Sequence, residues 1–109
     1  MSIFKTNEID AIGITKDGEG LALMIADAED FQNEHQHLKL LQDKINSYIA
    51  FLTDKQYEAV YPDKSFKYAV IETHFRYEPT ENTLKFLQVV QDQVGQFGIR
   101  IQCEIAKEN

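Results

Sequence analysis

Five side chains that could hold a divalent metal or trade a proton crowd together between positions 27 and 37: Asp27, Asp30, Glu34, His35 and His37. Carboxylates and imidazoles are the ligands of zinc and similar ions and the general bases of hydrolases. The spacing argues against one shared ion, because His35 and His37 would point about 200° apart on a helix and only Glu34 and His37 share a face. Acids at the start of a helix also have a simpler role, since each interacts with the macrodipole by about 0.3–1 kcal/mol. No metal and no cofactor is expected. The rival reading is a small-molecule- or metal-binding domain or a hydrolase built on Asp27, Asp30, Glu34 and His37.

Elsewhere the chemistry is thinner. His74 stands between Glu72 and Arg76 at strand spacing, where a general base would need a pocket and a nucleophile, and none is evident. Cys103 alternates with isoleucines and is expected to point inward as a small hydrophobe. Gly13 and Gly18 have the separation that opens a phosphate loop, but Glu19 and Gly20 stand where lysine and serine or threonine must follow. Tyr57, Tyr61, Phe66 and Tyr68 gather aromatic groups in one stretch. Tyrosines are enriched in binding hot spots and also cap the open end of a core with the hydroxyl in water.

The elements that must position these residues follow an order ββαβαβ. Residues 9–27 read as a hairpin: Ile12 and Ile14 alternate with Ala11 and Gly13, and Leu21, Leu23 and Ile25 alternate with Ala22, Met24 and Ala26. Lys16-Asp17-Gly18-Glu19-Gly20 supplies the turn. The small residues of the second face leave room for something to pack closely there. A helix over about 31–53, capped by Asp27 or Asp30, carries the stripe Leu38, Leu41, Ile45, Tyr48 or Ile49, and Leu52, with Gln42, Asp43, Lys44, Asn46 and Ser47 largely opposite. A strand at 67–77 buries Ala69, Ile71, Thr73, Phe75 and Tyr77. A second helix at 80–97 starts on Thr80, carries Leu84, Leu87, Val90 or Gln91, and Val94, and stops at Gly98, before a strand at 99–106. Right-handed crossovers make the last two strands parallel, while the first two are antiparallel. The expected fold is a two-layer α+β sandwich, a four-stranded mixed sheet with both helices on one face, as a single domain over residues 1–109.

Composition narrows the function. Eighteen acidic residues against eleven basic ones give a formal charge of −7, which repels phosphate backbones and anionic lipid, so neither nucleic acid nor membrane is an expected partner. One cysteine cannot form an internal disulfide, and no apolar run approaches the length of a signal peptide or a membrane span. A cytoplasmic location is expected.

The run Asn7-Glu8-Ile9-Asp10-Ala11-Ile12-Gly13, then Glu34, His37-Leu38, Leu40-Leu41-Gln42-Asp43-Lys44-Ile45-Asn46 and Tyr61-Pro62, resembles a family of small bacterial proteins described as a domain of unknown function. The likeness extends over roughly Asn7 to Ile105 and implies a bacterial origin, with no activity, cofactor or catalytic residue attached. Phe31 stands where that family usually carries a tryptophan. Small size, acidity, the aromatic stretch and the absence of an assembled catalytic motif favour a non-catalytic binding protein, such as an immunity protein or inhibitor of a basic protein. Its expected interface residues are Asp27, Asp30, Glu34, Tyr57 and Tyr61. A third reading is a homodimer whose polar sheet faces pair.

Overall fold

A computed structural model describes residues 2–106. The elements are β1 (Ala11–Ile14), β2 (Gly20–Asp27), α1 (Glu34–Thr53), β3 (Tyr68–Phe75), α2 (Glu81–Val94) and β4 (Ile99–Ile105). They form one four-stranded sheet in the order β1-β2-β3-β4, in which β1 and β2 are antiparallel and β2, β3 and β4 run parallel. The mixed sheet and its two helices are those expected from the sequence.

The hairpin turn is made by Asp17. One of its carboxylate oxygens accepts from the Thr15 hydroxyl at 2.6 Å and from the Glu19 amide at 2.9 Å, while Gly18 takes the left-handed φ of 76° that the reversal needs. At Gly20 the reason for glycine is space: a β-carbon there would fall 2.4 Å from the Tyr68 ring.

Alternation along the strands divides the sheet into two faces. Ile12, Leu21, Leu23, Ile25, Ala69, Ile71, Phe75 and Ile99 join Leu41, Ile45, Tyr48 and Leu52 of α1 and Leu87, Val90 and Val94 of α2 in one apolar cluster, so both helices cover the same face. The opposite face, with Ala22, Met24, Ala26, Glu72, His74, Arg100 and Gln102, has no layer over it among the described residues, and nothing lies within 4 Å of a β-carbon at Gly13.

Several expected details change. The cap of α1 is Asn33, whose side chain accepts from the Gln36 amide; Asp27 and Asp30 instead accept from Glu29 N and Gln32 N, shaping the connection before the helix. The buried stripe of α1 is His37, Leu41, Lys44, Ile45, Tyr48 and Leu52, which turns Lys44 inward and leaves Leu38 half-buried. In α2 the cap is Thr80, as its sequence suggests, but the stripe is Thr83, Leu87, Val90 and Val94, and Leu84 is exposed. The helix ends at Val94, because Gly95–Phe97 tighten into a 3-10 turn before Gly98. Tyr77 lies beyond the end of β3 and is exposed rather than buried. Cys103 is exposed too: α2 closes over the start of β4, where Ile99 is buried, and leaves an open groove along Leu84, Leu87, Gln88, Gln91, Ile101 and Cys103.

Candidate functional site

Asp27 ends β2 and His37 lies in the first turns of α1, so the short connection between them folds back until the two side chains meet. His37 Nε2 is 2.5 Å from Asp27 Oδ2, and Nδ1 is 2.8 Å from the Asp30 carbonyl oxygen. A carbonyl only accepts, so Nδ1 carries a hydrogen. One proton then sits between Nε2 and the carboxylate, held by one or the other. The ring is stacked on Phe31, with centroids 4.1 Å apart, and Phe31 leans on Phe75. Both side chains are buried, and both ring nitrogens are in use. The pair closes a loop; it presents no lone pair to a substrate or ion.

The neighbouring acids have separate occupations. Asp30 bonds the backbone of its own turn. Glu34 accepts from the Asn82 amide at 3.0 Å and joins the start of α1 to the start of α2. The Thr80 hydroxyl, and then the Asn82 amide, hold the Glu34 carboxyl below the usual carboxylate range. His35 faces solvent. Among the described residues no group of three or more His, Cys, Asp and Glu side chains is placed to hold a metal ion. Asp27, expected at a partner interface, is withdrawn from the surface because its charge is spent on His37.

A second buried polar group gave no signal in the sequence reading. Lys44 Nζ donates to Asp10 Oδ1 at 2.8 Å, to the Ser2 carbonyl at 2.8 Å and to the Lys5 carbonyl at 3.1 Å, which uses all three of its hydrogens. Asp10 Oδ2 accepts from Ala26 N. The Tyr48 hydroxyl accepts from Asp10 N and donates to the Met24 carbonyl, and burial pushes its ionisation up. The network ties residues 2–10 to α1 and β2. One clue was available: Lys44 is three residues after Leu41 and four before Tyr48, on the apolar stripe itself.

At the other end of α1 the aromatic stretch forms a hollow. Tyr57 and Tyr61 each meet Phe66 edge-on, with centroids 5.9 and 5.8 Å apart. Tyr57, Phe66, Leu52, Phe97 and Ile99 line a cavity of about 320 Å³, with Lys55 and Lys67 also on its wall; Lys67 is paired with Glu19. Phe97 is 68% exposed. Tyr61 supports this wall from behind. The 20 residues of α1 correspond to about 30 Å and set Asp30 and Glu34 at one end apart from Tyr57 and Tyr61 at the other.

On the open sheet face His74 Nδ1 lies 3.6 Å from Glu104, and the Arg100 guanidinium sits 4.4 Å above the Tyr68 ring. The Tyr68 hydroxyl donates to Asp17 at 2.6 Å. Cys103 belongs to the opposite face, so among the described residues no thiol stands beside His74. Among the described residues no helix is long and apolar enough to cross a membrane.

Comparison with the curated proteins and with the solved structures gives no match. The sequence pattern of a family of unknown function, DUF6572, matches residues 1–107, nearly the whole chain, and the protein belongs to that family.

Proposed function

We propose that this is a non-catalytic binding protein for a basic protein partner, and that the hollow of Leu52, Tyr57, Phe66 and Phe97 receives an apolar side chain of that partner. The observation that carries the reading is Phe97, a phenylalanine 68% exposed at the rim of an aromatic-lined cavity. Exposed apolar surface around a concavity is where interfaces place their anchors. A charge of −7 steers basic proteins toward the chain and turns other anions away. An immunity protein or inhibitor working in a bacterial cytoplasm fits these properties, and so does the single free cysteine. A catalytic reading has less support, because His37 is committed on both nitrogens.

The test is affinity capture from the source cells on the wild-type chain and on Phe97→Asp, followed by binding kinetics with the purified partner. A basic protein held by the wild type and released by Phe97→Asp supports the proposal. With the purified partner, Tyr57→Ala should raise the off-rate by at least tenfold, about 1.4 kcal/mol. A partner that binds both chains equally, or one whose affinity ignores the hollow, sinks it.

A further inference from the structure

Among the described residues the outer edge of β4 is unpaired in the sheet, and its peptide groups can be assigned. Ala69 N donates to Gly98 O, and Ala106 N donates to Phe75 O. In a parallel ladder this makes the even-numbered residues of β4 bond to β3 and turns the N–H and C=O groups of Ile99, Ile101, Cys103 and Ile105 outward. Gln91 of α2 covers the first part of that edge: its Nε2 donates to Ile99 O at 3.1 Å and its Oε1 accepts from Ile101 N at 2.7 Å. Further on, the edge runs past the exposed side chains of Cys103 and Ile105 and the groove beside Leu84. An uncovered, apolar-sided edge of this kind is a template for another strand.

We infer that the strand it receives is β4 of a second copy of this chain, joined antiparallel about a two-fold axis at Gln102. The sequence of β4, Ile-Arg-Ile-Gln-Cys-Glu-Ile, is self-complementary about that residue. On the open sheet face Arg100 comes opposite the partner's Glu104, and Glu104 opposite the partner's Arg100. On the helix side Ile101 meets the partner's Cys103, and Ile99 meets the partner's Ile105, so every pair is apolar. Moving the axis to Arg100 or Glu104 sets like charges directly opposite, which is destabilising, and moving it to Cys103 loses both charge pairs. Odd-numbered residues form the hydrogen-bonded pairs and Gln102 a non-hydrogen-bonded pair with its own copy. Gln91 keeps the place that the partner's Cys103 carbonyl and Ile105 amide take when the edges meet, so its two bonds are exchanged for backbone ones. The result is a continuous eight-stranded sheet, with the groove beside Leu84 and Leu87 closed by the second copy. The inference uses a different surface from the hollow and stands independently of it.

The test is the mass of the full chain in solution at about 100 μM, which saturates any interface of micromolar Kd. A dimer is expected. Arg100→Glu should weaken it by about tenfold or more through two like-charge pairs, and the exchange Arg100→Glu with Glu104→Arg should restore it. Cys103→Pro removes only an outward-facing N–H and should give a folded monomer. In a Cys103→Ser background, Gln102→Cys puts two Cα atoms about 4.5 Å apart and should oxidise to a covalent dimer, whereas Arg100→Cys should not. A monomer at that concentration overturns the inference. So does a dimer indifferent to Arg100→Glu, or one that cross-links through Arg100→Cys as readily as through Gln102→Cys.

Discussion

Asp10 and Lys44, 34 residues apart in the chain, meet at 2.8 Å with neither side chain more than 1% exposed. A buried charge is tolerated only while it is matched, so removing one partner is worse than removing both. Lys44→Ala should cost about 3–5 kcal/mol of stability, and Lys44→Met together with Asp10→Asn should cost clearly less. Denaturant midpoints of the three chains decide it. Equal losses in Lys44→Ala and in the double variant would show that the pair is not coupled.

The clamp between Asp27 and His37 predicts an ordering of variants. Asparagine at position 27 can still accept from Glu29 N and can donate its amide to Nε2, so Asp27→Asn should lose no more than about 1.5 kcal/mol. Asp27→Ala leaves a buried imidazole nitrogen without a partner and should lose about 3 kcal/mol. Nitrogen NMR of His37 should find Nδ1 protonated in the wild type and in Asp27→Asn. An unprotonated Nδ1 would contradict the bond to Asp30.

Thr73 is fully buried under the helices, and its hydroxyl has no hydrogen-bond partner among the described residues. Valine has nearly the same shape without the unmet polar group. Thr73→Val should therefore hold stability level or raise it by up to about 1–3 kcal/mol, read from the thermal midpoint. A loss above about 1 kcal/mol would mean that the hydroxyl is satisfied after all.

The turn carboxylate of Asp17 is held at about 2, below its ordinary 3.8, by the Thr15 hydroxyl first, then the Tyr68 hydroxyl and the Glu19 amide. A depressed carboxylate contributes stability above its unfolded value, and that contribution is lost as pH falls from about 4 through 2. A carbon NMR titration should place Asp17 at about 2, below its ordinary value. Tyr68→Phe should move it upward. An Asp17 that titrates at its ordinary value would remove the hydroxyls from the turn.

Elements with a strong period were legible in the sequence. The hairpin followed from two alternating runs around Asp17-Gly18, and the crossover rule supplied the parallel pair of β3 and β4, while the parallel pairing of β2 with β3 was not read from the sequence. What the period could not show was how far each layer reaches. Leu84 of α2 and Cys103 of β4 both fit an apolar stripe, yet both border the open groove beyond the part of β4 that α2 covers. Lys44 and His37 were hidden by a different cause, because a polar residue on a stripe looks like an interruption until its partner, Asp10 or Asp27, is brought near by the fold. The fold divides the expected interface of Asp27, Asp30, Glu34, Tyr57 and Tyr61: Asp27 is buried against His37, and a 20-residue helix separates Asp30 and Glu34 from Tyr57 and Tyr61, a separation that sequence proximity does not show.

The order of strands in the sheet is their order in the chain. During synthesis each new strand therefore finds the edge it needs already present, first β1 for β2, then β2 for β3, then β3 for β4, with one helix added at each of the last two steps. No strand has to be inserted between two that have already joined. The nascent chain can be built up from its amino end by accretion, and until the ribosome has delivered Lys44 the Ser2 and Lys5 carbonyls lack the ammonium that ties them to the helix.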